Sequence, residues 1–218
     1  MILGMDTSGR NLGLALYEEG RMIGSWLKTT ALKHGEILQT RVGEFLKENG
    51  STLNALTDIA ITLGPGSFTG LRIGLAAAKG YAFALSIPIA GASTLMAAAT
   101  AYRNYPGKVC AVIDARREEI YSATFDCRGE LPRRISPDKV GGFDELVAPG
   151  EDDLLIFGPA ALKEKIKGLN AQCEYVINDN YNLAEGVVRL AEIDLSSGRQ
   201  LDISTAVPSY LRQDFGQA

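Results

Sequence analysis

Two hydrophobic periods follow one another along the first ninety residues. Ile2 to Met5 is an unbroken apolar run, Leu12, Leu14 and Leu16 alternate with small residues, and Arg21 to Lys28 sets Met22, Ile23 and Trp26 among polar positions. This pattern predicts three strands. Glu19-Gly20 has turn chemistry, so the opening is an antiparallel meander with Asp6-Thr7-Ser8-Gly9 ending its first strand. The period then lengthens. Leu38, Val42, Phe45 and Leu46 fall at i, i+4, i+7 and i+8, which predicts an amphipathic helix from Gly35 to Asn49, stopped at Asn49-Gly50. Ile59 to Leu63 predicts a buried strand, and Thr69 to Leu85 a second helix. Between Leu71 and Leu85 only Arg72 and Lys79 are charged, and a helix apolar on nearly every face needs cover on more than one side.

Further along, Ile87 to Ala90 predicts a short strand and Ser93 the cap of a third, alanine-rich helix. Tyr105-Pro106-Gly107 breaks the chain, and the domain seam is placed there: residues 1–103 form a first lobe and 104–218 a second. The second lobe is expected to hold strands at Val109 to Asp114, Ile120 to Phe125, Leu154 to Phe157 and Glu174 to Ile177. Helices are expected at Ala160 to Lys167 and Leu183 to Leu195, and a Pro/Gly-interrupted connection precedes Leu154. A partial repeat is visible. Asp6 and Asp114 each close a strand, and Leu12 and Ile120 each open the next one six positions later.

Charge narrows the function classes. The 218 residues carry a net charge of −4, so counterion release from a nucleic-acid backbone would contribute little affinity overall. Up to Arg103 there are 9 basic and 7 acidic residues and beyond it 13 and 19, with the charges scattered. Cys110, Cys127 and Cys173 form no CxxC pair, and their odd number reads as structural thiols in a reducing compartment. MILGMDTSGR lacks a basic leader region and no run approaches 18 apolar residues, so a cytoplasmic protein with no membrane association is expected. Asn49-Gly50-Ser51 matches a glycosylation sequon but reads as the turn that ends a helix.

Candidate chemistry is sparse. His34 is the sole histidine, which excludes HExxH and every His-pair metal site, and at a helix start it reads as a solvated side chain. Ser67 lacks the glycine two residues earlier that a GxSxG elbow needs. Gly64-Pro65-Gly66-Ser67-Phe68-Thr69-Gly70 fits neither GxGxxG nor GxxxxGK[ST]. Free N–H groups after Gly70 could hold an anion. Pro65, Phe68 and the wall of Leu75, Ala76, Ala77, Ala78, Tyr81 and Ala82 point instead to core or to core plus a partner interface. All three readings stay open on the residues alone.

The duplicated strand, Asp-turn, strand unit resembles the actin-like ATPase superfamily, in which two related lobes clamp a nucleotide and each Asp-turn serves phosphate and metal. This resemblance implies an α/β, two-lobed, actin-like (ribonuclease H-like) fold with a reduced second lobe. Asp6, Thr7, Ser8 and Gly9 suit a phosphate turn because small residues allow close approach. Asp114 does not, since Arg116, Arg117, Glu118 and Glu119 bring no glycine and put carboxylates where phosphate oxygens would lie. Both are therefore carried as vestigial phosphate turns, Asp6 reading equally as a carboxylate that caps its own turn, with Gly141-Gly142 and Gly158-Pro159 as candidates for an adenosine-facing turn.

ILGMDTS, LGPGSFTGLRIG, VIDARREEIY and PSYLRQ, in that order, span nearly the whole chain and resemble the bacterial TsaB (YeaZ) family of tRNA threonylcarbamoyladenosine biosynthesis proteins. The resemblance implies a noncatalytic subunit that pairs with TsaD through the first two helices of its first lobe. TsaD would carry the metal and transfer a threonylcarbamoyl group to the adenosine beside the anticodon of ANN-decoding tRNAs, with the ATPase TsaE assisting and tRNA bound through the complex. It also implies a homodimer in the absence of TsaD, no cofactor or metal of the chain's own, and at most a weak ADP or ATP at the TsaD junction. Carried over by position, the partner face comprises Glu36, Gln39, Arg41, Pro65, Phe68, Arg72, Gly74, Leu75, Ala78 and Tyr81. A small-molecule ATPase or kinase of the same superfamily is the alternative, and a metallopeptidase lacks the ligands it would need.

Overall fold

The apolar runs of the first ninety residues become one five-stranded sheet in the computed structural model, which describes residues 1–30, 34–143, 154–169 and 174–212. Its strands are β1 (Ile2–Asp6), β2 (Asn11–Glu18), β3 (Arg21–Thr29), β4 (Asp58–Gly64) and β5 (Ile89–Ser93), in the order β3-β2-β1-β4-β5. β1 is antiparallel to β2 and parallel to β4. Glu19 and Gly20 both take positive φ at the β2–β3 turn, the geometry that matches hairpin twist. Helices α1 (His34–Glu48) and α2 (Phe68–Leu85) follow β3 and β4, and α3 (Thr94–Ala99) follows β5. Ser93 caps α3 by accepting from the Met96 N–H at 3.3 Å.

The two faces of this sheet differ because successive residues of a strand point to opposite sides. In register, Leu16, Leu3 and Ile59 form one row and Leu14, Met5 and Ile61 another. These rows share a buried core with Leu38, Val42, Phe45 and Leu46 of α1 and with Leu75, Ala78 and Ala82 of α2. Between them the other face carries Gly4 paired with Ala15 and Ala60. Onto it packs α5 (Leu183–Ser196), so closely that a Cβ on Gly4 would lie 2.7 Å from the Ala184 carbonyl oxygen. Buried Asn182 locks the junction. Its amide donates to the carbonyls of Leu14 (2.9 Å) and Trp26 (3.2 Å) and to the Ser25 hydroxyl (3.0 Å), while its oxygen caps the Ala184 N–H at 3.1 Å.

A second sheet contains β6 (Lys108–Arg116), β7 (Glu119–Asp126), β8 (Arg133–Arg134), β9 (Lys139–Gly142), β10 (Leu154–Gly158) and β11 (Glu174–Ile177). β6 is antiparallel to β7 and parallel to β10, β10 is parallel to β11, and β8 and β9 both pair with β7. These relations repeat those of β1, β2, β4, β5 and β3, so the Asp6/Asp114 repeat is a duplication of topology. Its core gathers Cys110, Val112, Ile120, Ile156, Leu162, Ile166 and Tyr175, with the short helix α4 (Lys163–Leu169) between β10 and β11. Cys110 and Cys127 are buried thiols, whereas Cys173 lies outside the described residues.

Some boundaries differ from expectation. The chain divides into Met1–Ala97 with Asn182–Ser209, and Ala98–Tyr181 with Tyr210–Ala218, rather than at a single seam after residue 103. The last helix returns to the first sheet, where Gly4, Ala15 and Ala60 leave a small-residue face on which it packs closely. The segment after α5 stays there too: the Leu201 N–H donates to the Ile89 carbonyl at 2.8 Å and the Ser209 N–H to the Leu63 carbonyl at 2.7 Å. Ala160 to Lys167 opens as a 3-10 turn before α4, and β8 and β9 occupy part of the connection expected to be irregular.

Candidate partner-binding face

Glycines 66, 70 and 74 recur every four residues, the spacing of one helical face. That face lies on the Asp6–Gly9 turn. A Cβ on Gly66 would meet the Ser8 carbonyl oxygen at 2.5 Å, one on Gly70 the Thr7 carbonyl oxygen at 2.1 Å, and one on Gly74 the Thr7 hydroxyl at 2.2 Å. The close approach is hydrogen-bonded. The Thr7 hydroxyl donates to the Gly70 carbonyl at 2.8 Å and the Ser67 N–H to the Ser8 carbonyl at 2.7 Å, while the Ser67 side chain caps α2 at the Gly70 N–H.

The turn expected to face phosphate is therefore engaged by its own chain. Thr7 and Ser8 are buried, the Ser8 N–H donates to Asp6 Oδ1 at 3.1 Å, and the Thr62 hydroxyl donates to the same oxygen at 2.6 Å. Burial pushes the Asp6 carboxyl above the ordinary carboxylate value, against the opposing pull of the Ser8 and Thr62 hydrogen bonds. His34, expected in solvent, is buried instead. Its Nε2 donates to the Gly9 carbonyl at 2.9 Å, and its Nδ1 is hydrogen-bonded to the Thr30 hydroxyl at 2.9 Å. On the second sheet Asp114 is exposed and accepts from the Arg116 N–H at 2.7 Å, and Arg116, Arg117 and Glu118 all take positive φ. The Gly158-Pro159 carbonyls accept from the Asn178 N–H (2.9 Å) and the Tyr175 hydroxyl (2.8 Å), and Gly141 and Gly142 pair with β7. Among the described residues no group of three His, Cys, Asp or Glu is arranged to hold a metal, and no helix is long and apolar enough to cross a membrane.

Outward from that turn, α1 and α2 bound a groove of about 560 Å³. Gly35 and Gln39 of α1, Leu53 of the following turn, and Ile73, Ala76, Gly80 and Ala84 of α2 line it. Beside it Phe83 is 81% exposed. This is an apolar face open on the outer side of the two helices.

The structure sorts the expected partner residues into two groups. Glu36, Gln39 and Arg72 are exposed, and Phe68 and Tyr81 are partly so; the Arg72 guanidinium sits 3.7 Å from the Phe68 ring centre, and the Tyr81 hydroxyl donates to Gln39 Oε1, joining α2 to α1. Gly74, Leu75, Ala78 and Pro65, expected on the contact face, are instead buried within the chain: Gly74 touches Thr7, and Leu75 and Ala78 belong to the core beneath α2. Arg41 lies over the Trp26 ring and pairs with Glu44 at 3.1 Å and with Glu48, which directs it toward β3. Gly35, Leu53, Ile73, Ala76, Gly80, Phe83 and Ala84 instead line or flank the open groove. Apart from Ala76, sequence reasoning did not single them out, and on α2 it could not tell outward from inward because alanine and glycine occupy both sides. The register Leu71, Leu75, Ala78, Ala82 was the signal that fixes the inward side.

A family model described as "TsaD: tRNA N6-adenosine threonylcarbamoyltransferase" matches residues 28–170. The "tRNA threonylcarbamoyladenosine biosynthesis protein TsaB" of Bacillus subtilis (strain 168) is 33% identical over 138 residues, 63% of this chain and 60% of that protein. Its Escherichia coli (strain K12) counterpart is 36% identical over 126 residues, 57% of this chain and 54% of that protein. Those alignments thus span less than two thirds of the curated relatives. Among solved structures, YeaZ from Pseudomonas aeruginosa superimposes with a TM-score of 0.80 at 29% identity, covering 96% of this chain and 99% of that one. The PilM-PilN type IV pilus biogenesis complex shares the fold alone, with a TM-score of 0.51 and 9% identity.

Proposed function

The chain belongs to the TsaD family, has an actin-like, ribonuclease H-like α/β fold and is homologous to TsaB biosynthesis proteins; from that premise we propose that it is a noncatalytic subunit supporting threonylcarbamoylation of tRNA adenosine. Its partner is TsaD, seated on the outer face of α1 and α2. TsaD performs the transfer, TsaE assists turnover in the cytoplasm, and tRNA reaches the chain through the complex. The chain holds no cofactor of its own, and any ADP or ATP is shared at the TsaD junction. Without TsaD, a second copy covers the same face.

One observation carries this reading: the groove between α1 and α2, with Ala76, Gly80 and Ala84 open and Phe83 81% exposed, presents small and aromatic surface where a solitary domain presents charge. Small side chains let a partner helix approach closely, and about 800 Å² per partner is the ordinary scale of such a contact. The Asp6–Gly9 turn agrees with a noncatalytic role, since its Thr7 hydroxyl and the Ser8 and Gly9 carbonyls are already bonded within the chain.

Reconstitution by omission tests it. TsaD, TsaE, an ANN-decoding tRNA and substrates are expected to yield threonylcarbamoyladenosine with this chain present and to lose nearly all product without it, while the chain alone turns over no ATP. Equal product without it, or steady ATP hydrolysis by it alone, overturns the proposal.

A further inference from the structure

We propose that the Asp6–Gly9 turn is the positioning element of the partner face, with Thr7 setting the start of α2 and His34 the start of α1. The inference rests on the reading of that face as the TsaD contact. It concerns residues that no partner would touch.

Both helices are tied at their first turns to the same four residues. His34 opens α1, and its Nε2 donates to the Gly9 carbonyl at 2.9 Å while Thr30 orients the ring through Nδ1. A carbonyl can only accept, so Nε2 carries a proton, and the Thr30 hydroxyl pairs with Nδ1. On the other side, the Thr7 hydroxyl donates to Gly70 in the first turn of α2, and the Ser67 N–H donates to Ser8 one residue before it. Gly66, Gly70 and Gly74 leave no room between α2 and the turn, since any Cβ there would fall within 2.5 Å of a Thr7 or Ser8 oxygen. Asp6 holds the turn from below by accepting from Ser8 and from Thr62 on β4.

Fixing two helix starts to one short turn fixes the separation of their axes, and that separation is the width of the groove. Farther along, the Tyr81 hydroxyl donates to Gln39 and joins the outer sides of the two helices. The polar groups of the turn thus act on binding through backbone placement. Thr7 and His34 are positioning residues.

The test separates positioning from mere folding and from the partner assignment. Nitroxide labels at Thr40 on α1 and Phe83 on α2, in a chain whose three cysteines are replaced by alanine, report the helix separation by pulsed EPR in the isolated chain. Calorimetry with unlabelled chain reports affinity for TsaD. Thr7→Val keeps shape but loses the hydroxyl; it is expected to shift or broaden the distance distribution and to weaken TsaD binding about tenfold, within the range for residues acting through others. Thr7→Ser is expected to restore both. His34→Leu and His34→Gln repeat the comparison from α1 should Thr7→Val fail to fold, glutamine retaining a donor for the Gly9 carbonyl. Wild-type distances and affinity in Thr7→Val, or equal behaviour of His34→Leu and His34→Gln, overturn the inference. If the wild-type chain itself does not bind TsaD, the proposed function fails and the EPR distances alone decide the role of the turn.

Discussion

Thr62 and Ser8 pull the Asp6 carboxyl one way and burial pulls it the other, with burial the larger effect. A carboxyl raised in the folded state binds its proton more tightly there than in the unfolded chain. Its stability contribution is therefore complete below the ordinary value of about 3.9 and is lost as pH rises through the folded value. Asp6→Asn keeps an oxygen for both donors and does not titrate. The stability of the wild type relative to Asp6→Asn should fall from pH 4 to pH 8, measured as paired thermal midpoints; a gap constant across that range contradicts the assignment. Asp126, held well below the ordinary range by Arg128 and Arg133, contributes the opposite slope mainly below the ordinary carboxylate value, and pairing the two proteins removes the part that enters this window. Residues are where sequence reading was weakest. A histidine at a helix start is usually wet, and nothing local to His34 reveals that Gly9 and Thr30 close over it.

At the level of elements, periodicity alone located nearly every strand and helix, because each buries one face and so repeats in a fixed rhythm. What periodicity does not contain is which sheet a helix covers. Leu183 to Leu195 reads as an amphipathic helix of a second domain, yet α5 packs on the first sheet across Gly4, Ala15 and Ala60. The alternation of Leu12, Leu14 and Leu16 with Gly13 and Ala15 held the clue, since a small-residue sheet face calls for a closely packed helix. Asn182 is the bolt. Asn182→Ala removes a helix cap and leaves the Leu14 carbonyl without its side-chain donor, so it should cost about 2–4 kcal/mol. Urea unfolding checks this, and a loss below about 1 kcal/mol would show that the apolar face of α5 alone holds it in place.

For the whole molecule, two sheets of one topology arise from one repeat, while the proposed partner face lies on helices of the first alone. Its two helices were legible as under-covered from composition, but not which side of α2 is open. Gly74, Leu75 and Ala78 point inward, and Ala76, Gly80 and Ala84 outward, a distinction set by the core rather than by residue type. Gly80 offers the cleanest probe, because a Cβ there meets no atom within 4 Å and replacing glycine inside a helix favours folding. The decisive measurement is the calorimetric affinity of Gly80→Glu for TsaD beside its thermal midpoint. The account predicts a midpoint at or above wild type and affinity weakened at least about thirtyfold, the scale of a buried charge at an interface centre. Wild-type affinity in a folded Gly80→Glu chain would contradict it.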